Sequence, residues 1–174
     1  VFSFTALARE VEKRLGGGAA PVLSDAGRCV FIRRAIDLLG DEVCAYGRHR
    51  RDSAFYSLCS DAIKELKSAG IGPQQLYRSA LGGGEEYRRL AELALIFGEY
   101  EASVAGRYED EADRLSRAAQ KADAAFFGDA AVFVDSFDGF TAPEYTMLSH
   151  CIAARGGCTV ALTCDALLDH TGGL

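Results

Sequence analysis

The sequence predicts a helix-rich α/β fold, in which a short parallel sheet is combined with a large helical insertion. Two observations predict it. Residues 131–135 and 158–163 are short apolar runs rich in β-branched residues, and a helical segment lies between them. Strand, helix and strand at this spacing form a parallel pair with a right-handed crossover. Residues 24–125, in contrast, have the three-and-four spacing of apolar residues that is typical of helices.

The two chain ends are expected to build one unit. We assign residues 1–20 and 126–174 to the α/β core and residues 21–125 to the helical insertion. Residues 1–4 are apolar and β-prone, so they are predicted to form a strand, after which Thr5 caps a helix.

The helices follow from apolar periodicity and from capping residues. The segment 109–124 has only a thin apolar stripe, so we expect its helix to lie on the surface. The strands at 131–135 and 158–163 are continuous apolar runs, which favours burial on both faces. The predicted helices are 5–15, 24–39, a helix from 52 or 53 that ends before Gly70, a further one starting at Pro73, 85–105, 109–124 and 142–154.

The composition limits the classes of function. The net charge is −6, whereas a strong autonomous DNA-binding domain is usually basic. Arg48, Arg50 and Arg51 form a compact basic run, with Arg28, Arg33 and Arg34 nearby in sequence. This run is interpreted either as a solvated surface or as a set of contacts to the DNA backbone, and both alternatives stay open. No membrane-spanning segment or secretion signal is recognised, which indicates a cytoplasmic protein.

The six cysteines do not form a C-x-x-C pair, so the sequence gives little support to a zinc or iron–sulfur site. Without a secretion signal, free and largely buried thiols are expected. The three histidines are isolated, and no Ser-His-Asp or Cys-His arrangement is recognised. The sequence therefore predicts no cofactor and no catalytic residue within this chain.

The segment around Asp135 is the most informative part of the sequence. An acid at the carboxyl end of a parallel strand lies where open α/β sheets bind ligands. In nucleotide hydrolases this position holds Mg²⁺, and a following acid orients the attacking water. Here the next residue is Ser136, which cannot act as a base, and no Gly-Lys-Ser or Gly-Lys-Thr of a phosphate loop occurs. Asp138 is interpreted either as part of this position or as a cap of a local turn.

Residues 132–145 resemble the degenerate second helicase motif of the AddB family, with Asp135-Ser136-Phe137-Asp138-Gly139-Phe140-Thr141 and Glu144-Tyr145 as the most specific part. The resemblance implies a partial RecA-like (P-loop NTPase-like) core, with Asp135 at the Mg²⁺ position. It implies an AddA-like helicase–nuclease partner and contacts with single- and double-stranded DNA in the full complex. ATP with Mg²⁺ and an iron–sulfur cluster would belong to other parts of the parent subunit.

Three functions remain open at this point. The first is a non-motor helicase-like region that acts in double-strand-break resection through contacts with its partner and single-stranded DNA. The second is a genuine ATPase that lacks its phosphate loop only because the sequence is a piece. The third is a helical protein-interaction module, in which the match around Asp135 is accidental.

Overall fold

The computed structural model describes residues 1–17, 20–46, 49, 51–81 and 83–162, without the side chains of Glu85 and Glu86. Within these residues, helices dominate and a two-stranded sheet lies near the C-terminal end. The elements in chain order are α1 (Phe4–Leu15), α2 (Asp25–Leu39), α3 (Ser53–Ser68), α4 (Pro73–Ser79), α5 (Glu85–Val104), α6 (Glu111–Lys121), α7 (Ala124–Phe127), β1 (Val132–Phe137), α8 (Ala142–Ala153) and β2 (Cys158–Leu162).

The predicted helices and several of their caps are confirmed. The Ser24 hydroxyl accepts the N–H of Gly27 at 3.1 Å and starts α2. The Asp52 carboxylate accepts the N–H of Ala54 at 2.9 Å and starts α3. Pro73 opens α4, where its missing N–H costs no helical hydrogen bond. None of the helices in the described part of the chain is long and apolar enough to cross a lipid bilayer.

The predicted strand at residues 1–4 is wrong. The hydroxyl of Ser3 accepts the N–H of Ala6 at 3.2 Å, so Ser3 rather than Thr5 is the N-cap and α1 begins at Phe4. A strand also needs a neighbour for its backbone groups, and residues 1–3 pair with no strand among the residues described. The Ser3 cap depends only on residues of its own turn, so this segment starts a helix rather than forming a strand.

The parallel strand pair is confirmed, but its predicted burial on both faces is wrong. Val132 aligns with Cys158 and Val134 with Val160, and the register then shifts before Phe137. Phe133 is 76% exposed and Leu162 is 55% exposed. The apolar runs are consistent with a sheet covered on both faces, but among the described residues most of β2 and Phe133 of β1 stay exposed.

Two hydrophobic clusters organise the helices. The larger one fills the space between α2, α3 and α5, and includes Ile32, Ile36, Ile63, Phe97 and Tyr100. The smaller one joins α1, α6 and α8 through Ala8, Val11, Ala118, Ala119, Ala122 and Met147.

The helix at 109–124 has exposed residues such as Glu111 and Lys121, as expected of a surface helix, but its thin apolar stripe is closely packed. Ala118 is fully buried and Ala119 is 1% exposed, because α6 packs against both α1 and α8. Its apolar stripe is thin because it consists of alanines. Small side chains allow helices to approach closely, so a weak apolar signal still marks a packed face.

A close backbone contact fixes the start of β2. A Cβ added at Gly156 would lie 2.2 Å from the carbonyl oxygen of Ala130. Only glycine fits at this position, because any side chain would push apart the segments that lead into β1 and β2. The N–H of Val132 donates to the carbonyl of Gly157 at 3.0 Å and continues the contact into the sheet.

Candidate functional site

Asp135 lies on β1 with an exposed side chain, in a strained turn of the strand. The next residue, Ser136, has a φ of 66°, which is uncommon for a residue other than glycine. This conformation produces the register shift between β1 and β2. The Asp135 carboxylate accepts the N–H of Ser136 at 2.8 Å, and its second oxygen makes no hydrogen bond within the described residues.

Four aromatic rings hold the segment that follows Asp135. The ring of Phe4 in α1 lies 5.3 Å from that of Phe137 and 5.9 Å from that of Phe140. Phe140 in turn contacts Phe137 at 5.4 Å and Tyr145 at 5.5 Å. Such ring pairs add stability beyond their buried area. The loop between β1 and α8 is therefore fixed against α1 by Phe4, Phe137, Phe140 and Tyr145.

Glu144, the acid that follows in the motif, takes part in a helix cap. Its Oε2 accepts the Thr141 N–H at 2.8 Å and the Thr141 hydroxyl at 2.9 Å, which forms a capping box at the start of α8. Both hydrogen bonds hold this oxygen of the carboxylate at the start of α8. Asp138 is exposed and forms no ion pair in the part of the chain that the structure describes.

The three arginines of the predicted DNA-contact run have different outcomes. Arg48 and Arg50 lie outside the described residues. Arg51 is exposed and lines an open pocket with Arg33 and Asp37. The structure thus leaves Arg51 available to a ligand, but it does not test the run as a whole.

Arg28, which is near that run in sequence, is buried and cannot contact DNA. Its side chain is 5% exposed, and its Nε and Nη2 donate to Asp110 Oδ1 at 3.0 and 2.9 Å. Lys67 donates to the other oxygen of Asp110 at 2.9 Å, and the Tyr100 hydroxyl donates to the same oxygen at 2.8 Å. One carboxylate therefore connects α2, α3 and α5 to the start of α6.

Sequence reasoning missed this buried ion cluster, although one signal for it exists. Arg28 has the same four-and-three spacing as the buried Ile32 and Ala35, so it lies on the buried stripe of α2. Lys67 follows Ser60 and Ile63 in the same way along α3. A charged residue on a buried stripe indicates a buried ion pair. The partner, 82 residues away from Arg28, could not be identified from spacing.

The same cluster is the only described group of acids with the geometry to hold a metal ion. Glu101, Asp110 and Asp113 each place one oxygen close to the others. Lys67 Nζ lies 2.6 Å from Glu101, 2.9 Å from Asp110 and 2.6 Å from Asp113. The ammonium group thus occupies the position of a cation, and the carboxylates already have their counter-charge.

The pKa shifts of Lys67 and Asp110 favour their charged states, whereas burial raises the pKa of Glu101. Burial would lower the pKa of Lys67, but hydrogen bonds to Asp113, Glu101 and Asp110 outweigh it and raise that pKa. Burial would raise the pKa of Asp110, but the bonds from Lys67 and Tyr100 and the charge of Arg28 lower it. A lowered carboxyl pKa stabilises the fold above the unfolded-state pKa, and this stability is lost as pH falls through the folded-state pKa.

A second ion cluster joins α1 to α6. Glu12 of α1 accepts a bond from Arg117 at 2.7 Å and pairs with Arg114 at 3.1 Å. Arg117 also pairs with the buried Glu109. These contacts hold α6 against the element that carries Phe4, so they support the loop after Asp135 from a distance.

The cysteines are free thiols wherever the structure describes them, as predicted. Cys59 and Cys151 are buried, while Cys44 is exposed. Burial raises the pKa of Cys59 to about 12 and that of Cys151 to about 11, so both stay protonated and unreactive at neutral pH. Cys164 lies outside the described residues.

Comparison with known proteins gives one consistent family. Residues 1–172 match the protein family described as ADDB, N-terminal. The chain is 33% identical over 180 residues to the B subunit of the ATP-dependent helicase/deoxyribonuclease of Moorella thermoacetica, covering 98% of this chain and 16% of that protein.

Two further relatives carry the same name. The protein of Desulforudis audaxviator is 31% identical, with 95% of this chain and 15% of the relative covered. The protein of Desulforamulus reducens is 29% identical, with 96% and 15% covered. The chain thus spans about 15% of the length of these relatives. Since the family match extends over nearly the whole chain, the chain belongs to the AddB family and corresponds to its N-terminal region.

Proposed function

We propose that this chain is the non-motor, helicase-like region of an AddB-type subunit. In this proposal it contributes to ATP-dependent processing of DNA ends in double-strand-break repair. It acts through contacts with an AddA-like helicase–nuclease partner and with single-stranded DNA, in the cytoplasm. ATP hydrolysis takes place elsewhere in the complex.

The observation that carries the proposal is the chemistry at the end of β1. Asp135 is available to a cation, but the residue after it is a serine in a left-handed conformation. Glu144 is engaged in a helix cap, and Asp138 is solvent-exposed. Ser136 cannot orient an attacking water and Glu144 is held in the cap, which supports a site without the acid that nucleotide hydrolysis uses.

The partial RecA-like core is part of the same proposal. The parallel order of β1 and β2, joined by α8, is that of one crossover unit in such a core. The exposed Phe133 and Leu162 support a larger sheet and further packing layers contributed by the longer protein. The separate hydrophobic cluster of α2, α3 and α5 supports an insertion for that part of 21–125, whereas α6 packs with α1 and α8.

The two alternatives fare differently. An accidental match around Asp135 is excluded, because the family match covers residues 1–172 rather than one motif. Ser136 argues against a genuine ATPase, because loss of the water-orienting acid lowers the rate of ATP hydrolysis by orders of magnitude.

The test uses the full-length protein assembled with its helicase–nuclease partner on a linear DNA duplex. The assembled wild-type complex is expected to unwind and degrade the duplex in an ATP-dependent reaction. Asp135→Asn preserves the acceptor for the Ser136 N–H and removes only the charge. We expect this variant to change ATP hydrolysis and unwinding by less than about twofold.

Two results would contradict the proposal. A wild-type complex without ATP-dependent activity on DNA ends would exclude the role in end processing. A fall of about a hundredfold in the ATP hydrolysis of the Asp135→Asn complex would show that this site is a motor site. Glu111→Gln, an exposed acid in the first turn of α6, is the matched control for removal of one negative charge.

A further inference from the structure

We propose that Phe31, Arg34, Arg107 and Tyr108 form a site that stacks an unpaired base of single-stranded DNA and binds the adjacent phosphates. The inference rests on the proposed function and assigns residues to its single-strand contact. These residues are separate from Asp135 and from the basic run at residues 48–51.

The site is an open pocket of about 570 Å³ on the outer side of α2, lined also by Pro21. The ring centroids of Phe31 and Tyr108 are 5.5 Å apart, and their planes are tilted by 58°. Tyr108 is 40% exposed, while Phe31 is half-buried and packs against the core. One ring is thus anchored and the other is accessible, which is suited to holding a planar ligand.

The charges beside the rings favour an anion. Arg34 and Arg107 are exposed, and neither forms an ion pair with a carboxylate among the described residues. The preceding residue in α2, Arg33, in contrast faces Asp37 at 3.9 Å. In a chain of net charge −6, the two guanidinium groups that line this pocket give it a local positive charge.

The pocket is held in place by hydrogen bonds beneath it. The Glu109 N–H donates to the carbonyl of Pro21 at 3.1 Å, and the Leu23 N–H donates to the carbonyl of Glu109 at 2.9 Å. Asp110 then binds the buried Arg28, which lies three residues before Phe31 in α2. The turn that carries Arg107 and Tyr108 is therefore fixed against α2 before any ligand binds, which reduces the entropy lost on binding.

Single-stranded DNA fits this combination better than other polyanions. Aromatic rings flanked by cations bind single strands by base stacking together with phosphate contacts. In a duplex the base faces are already stacked, and an acidic peptide would leave the two rings without a planar partner.

The first experiment locates the contact directly. The full-length protein, assembled with its partner, is irradiated on a forked duplex whose single-stranded tails contain 5-iodouracil, and cross-linked peptides are identified by mass spectrometry. We expect cross-links to Tyr108. Cross-links to other parts of the complex, with none to Tyr108 or Phe31, would overturn the assignment and leave the proposed function intact.

The second experiment measures affinity for an oligothymidine strand with the same complex. We expect Tyr108→Leu to weaken binding about tenfold, while Tyr108→Phe retains the ring and the affinity. The matched control is Tyr77→Leu, because Tyr77 on α4 has the same 40% exposure. Equal effects of the Tyr108→Leu and Tyr77→Leu substitutions would overturn the proposal.

The arginines are tested by salt dependence. Replacing Arg34 or Arg107 by Gln is expected to reduce the slope of log affinity against log salt by about 0.7 for each phosphate that the variant no longer neutralises. Arg78→Gln, next to Tyr77, is the control and should leave the slope unchanged. Unchanged slopes for the Arg34→Gln and Arg107→Gln variants would contradict their role. A wild-type complex that neither binds DNA nor acts on it would instead refute the proposed function itself.

Discussion

At the scale of single residues, Lys67 is central to the described part of the chain. Its ammonium group binds three carboxylates, and its side chain is 8% exposed. A buried charge that loses its partner is costly, because the remaining charges stay desolvated. The pair between Lys64 and Asp25, one turn earlier on α3, is largely in solvent and contributes little.

We therefore expect Lys67→Met to lower the free energy of unfolding by about 3 kcal/mol. Lys64→Met, which removes the same charge from an exposed position on the same helix, should have a much smaller effect. Urea unfolding followed by circular dichroism measures both variants. Equal stabilities of the Lys64→Met and Lys67→Met variants would show that the cluster is not a structural centre.

The residue scale also shows what the sequence could and could not predict. The caps Ser24 and Asp52 and the helix start at Pro73 follow from local chemistry, and they are confirmed. The pairing of Arg28 with Asp110 depends on how distant segments approach each other, so its position on a buried stripe indicates a partner without identifying it. The roles of Asp135, Asp138 and Arg51 stay predictions.

At the scale of elements, the helices were easier to predict than the strands. Periodicity recognised every long helix, because one apolar face is a local property of the sequence. It underestimated α6, whose packed face consists of alanines. The strand predicted at residues 1–4 failed because a strand depends on neighbours that the local sequence does not supply, whereas the Ser3 cap is local.

The turn in β1 gives a prediction at this scale. Ser136 adopts a φ of 66°, which costs about 1 kcal/mol or more for a residue with a Cβ atom and nothing comparable for glycine. We expect Ser136→Gly to raise the free energy of unfolding by up to about 1 kcal/mol, and Ser136→Val to lower it. Thermal unfolding of the variants tests this, and a destabilised Ser136→Gly variant would contradict the assigned conformation.

At the scale of the whole molecule, the described fold has two hydrophobic clusters joined through ion clusters. The Asp110 cluster fixes α6 to the helices of the larger cluster, and the Glu12 cluster fixes α6 to α1. Helix α6 therefore connects the helices of the larger cluster to α1, which holds the loop after Asp135. The exposed apolar residues of the sheet fit a region that spans only about 15% of its relatives' length.

The most direct test of the account is the rate of ATP hydrolysis by the full-length protein alone, without its partner and with single-stranded DNA present. The account predicts no DNA-stimulated hydrolysis above that of a protein-free control, because the position after Asp135 holds Ser136 instead of an acid. As a control, hydrolysis that begins when the partner is added would show that the DNA and the nucleotide support the reaction. Rapid hydrolysis by the isolated protein, abolished in the Asp135→Asn variant, would contradict the non-motor assignment.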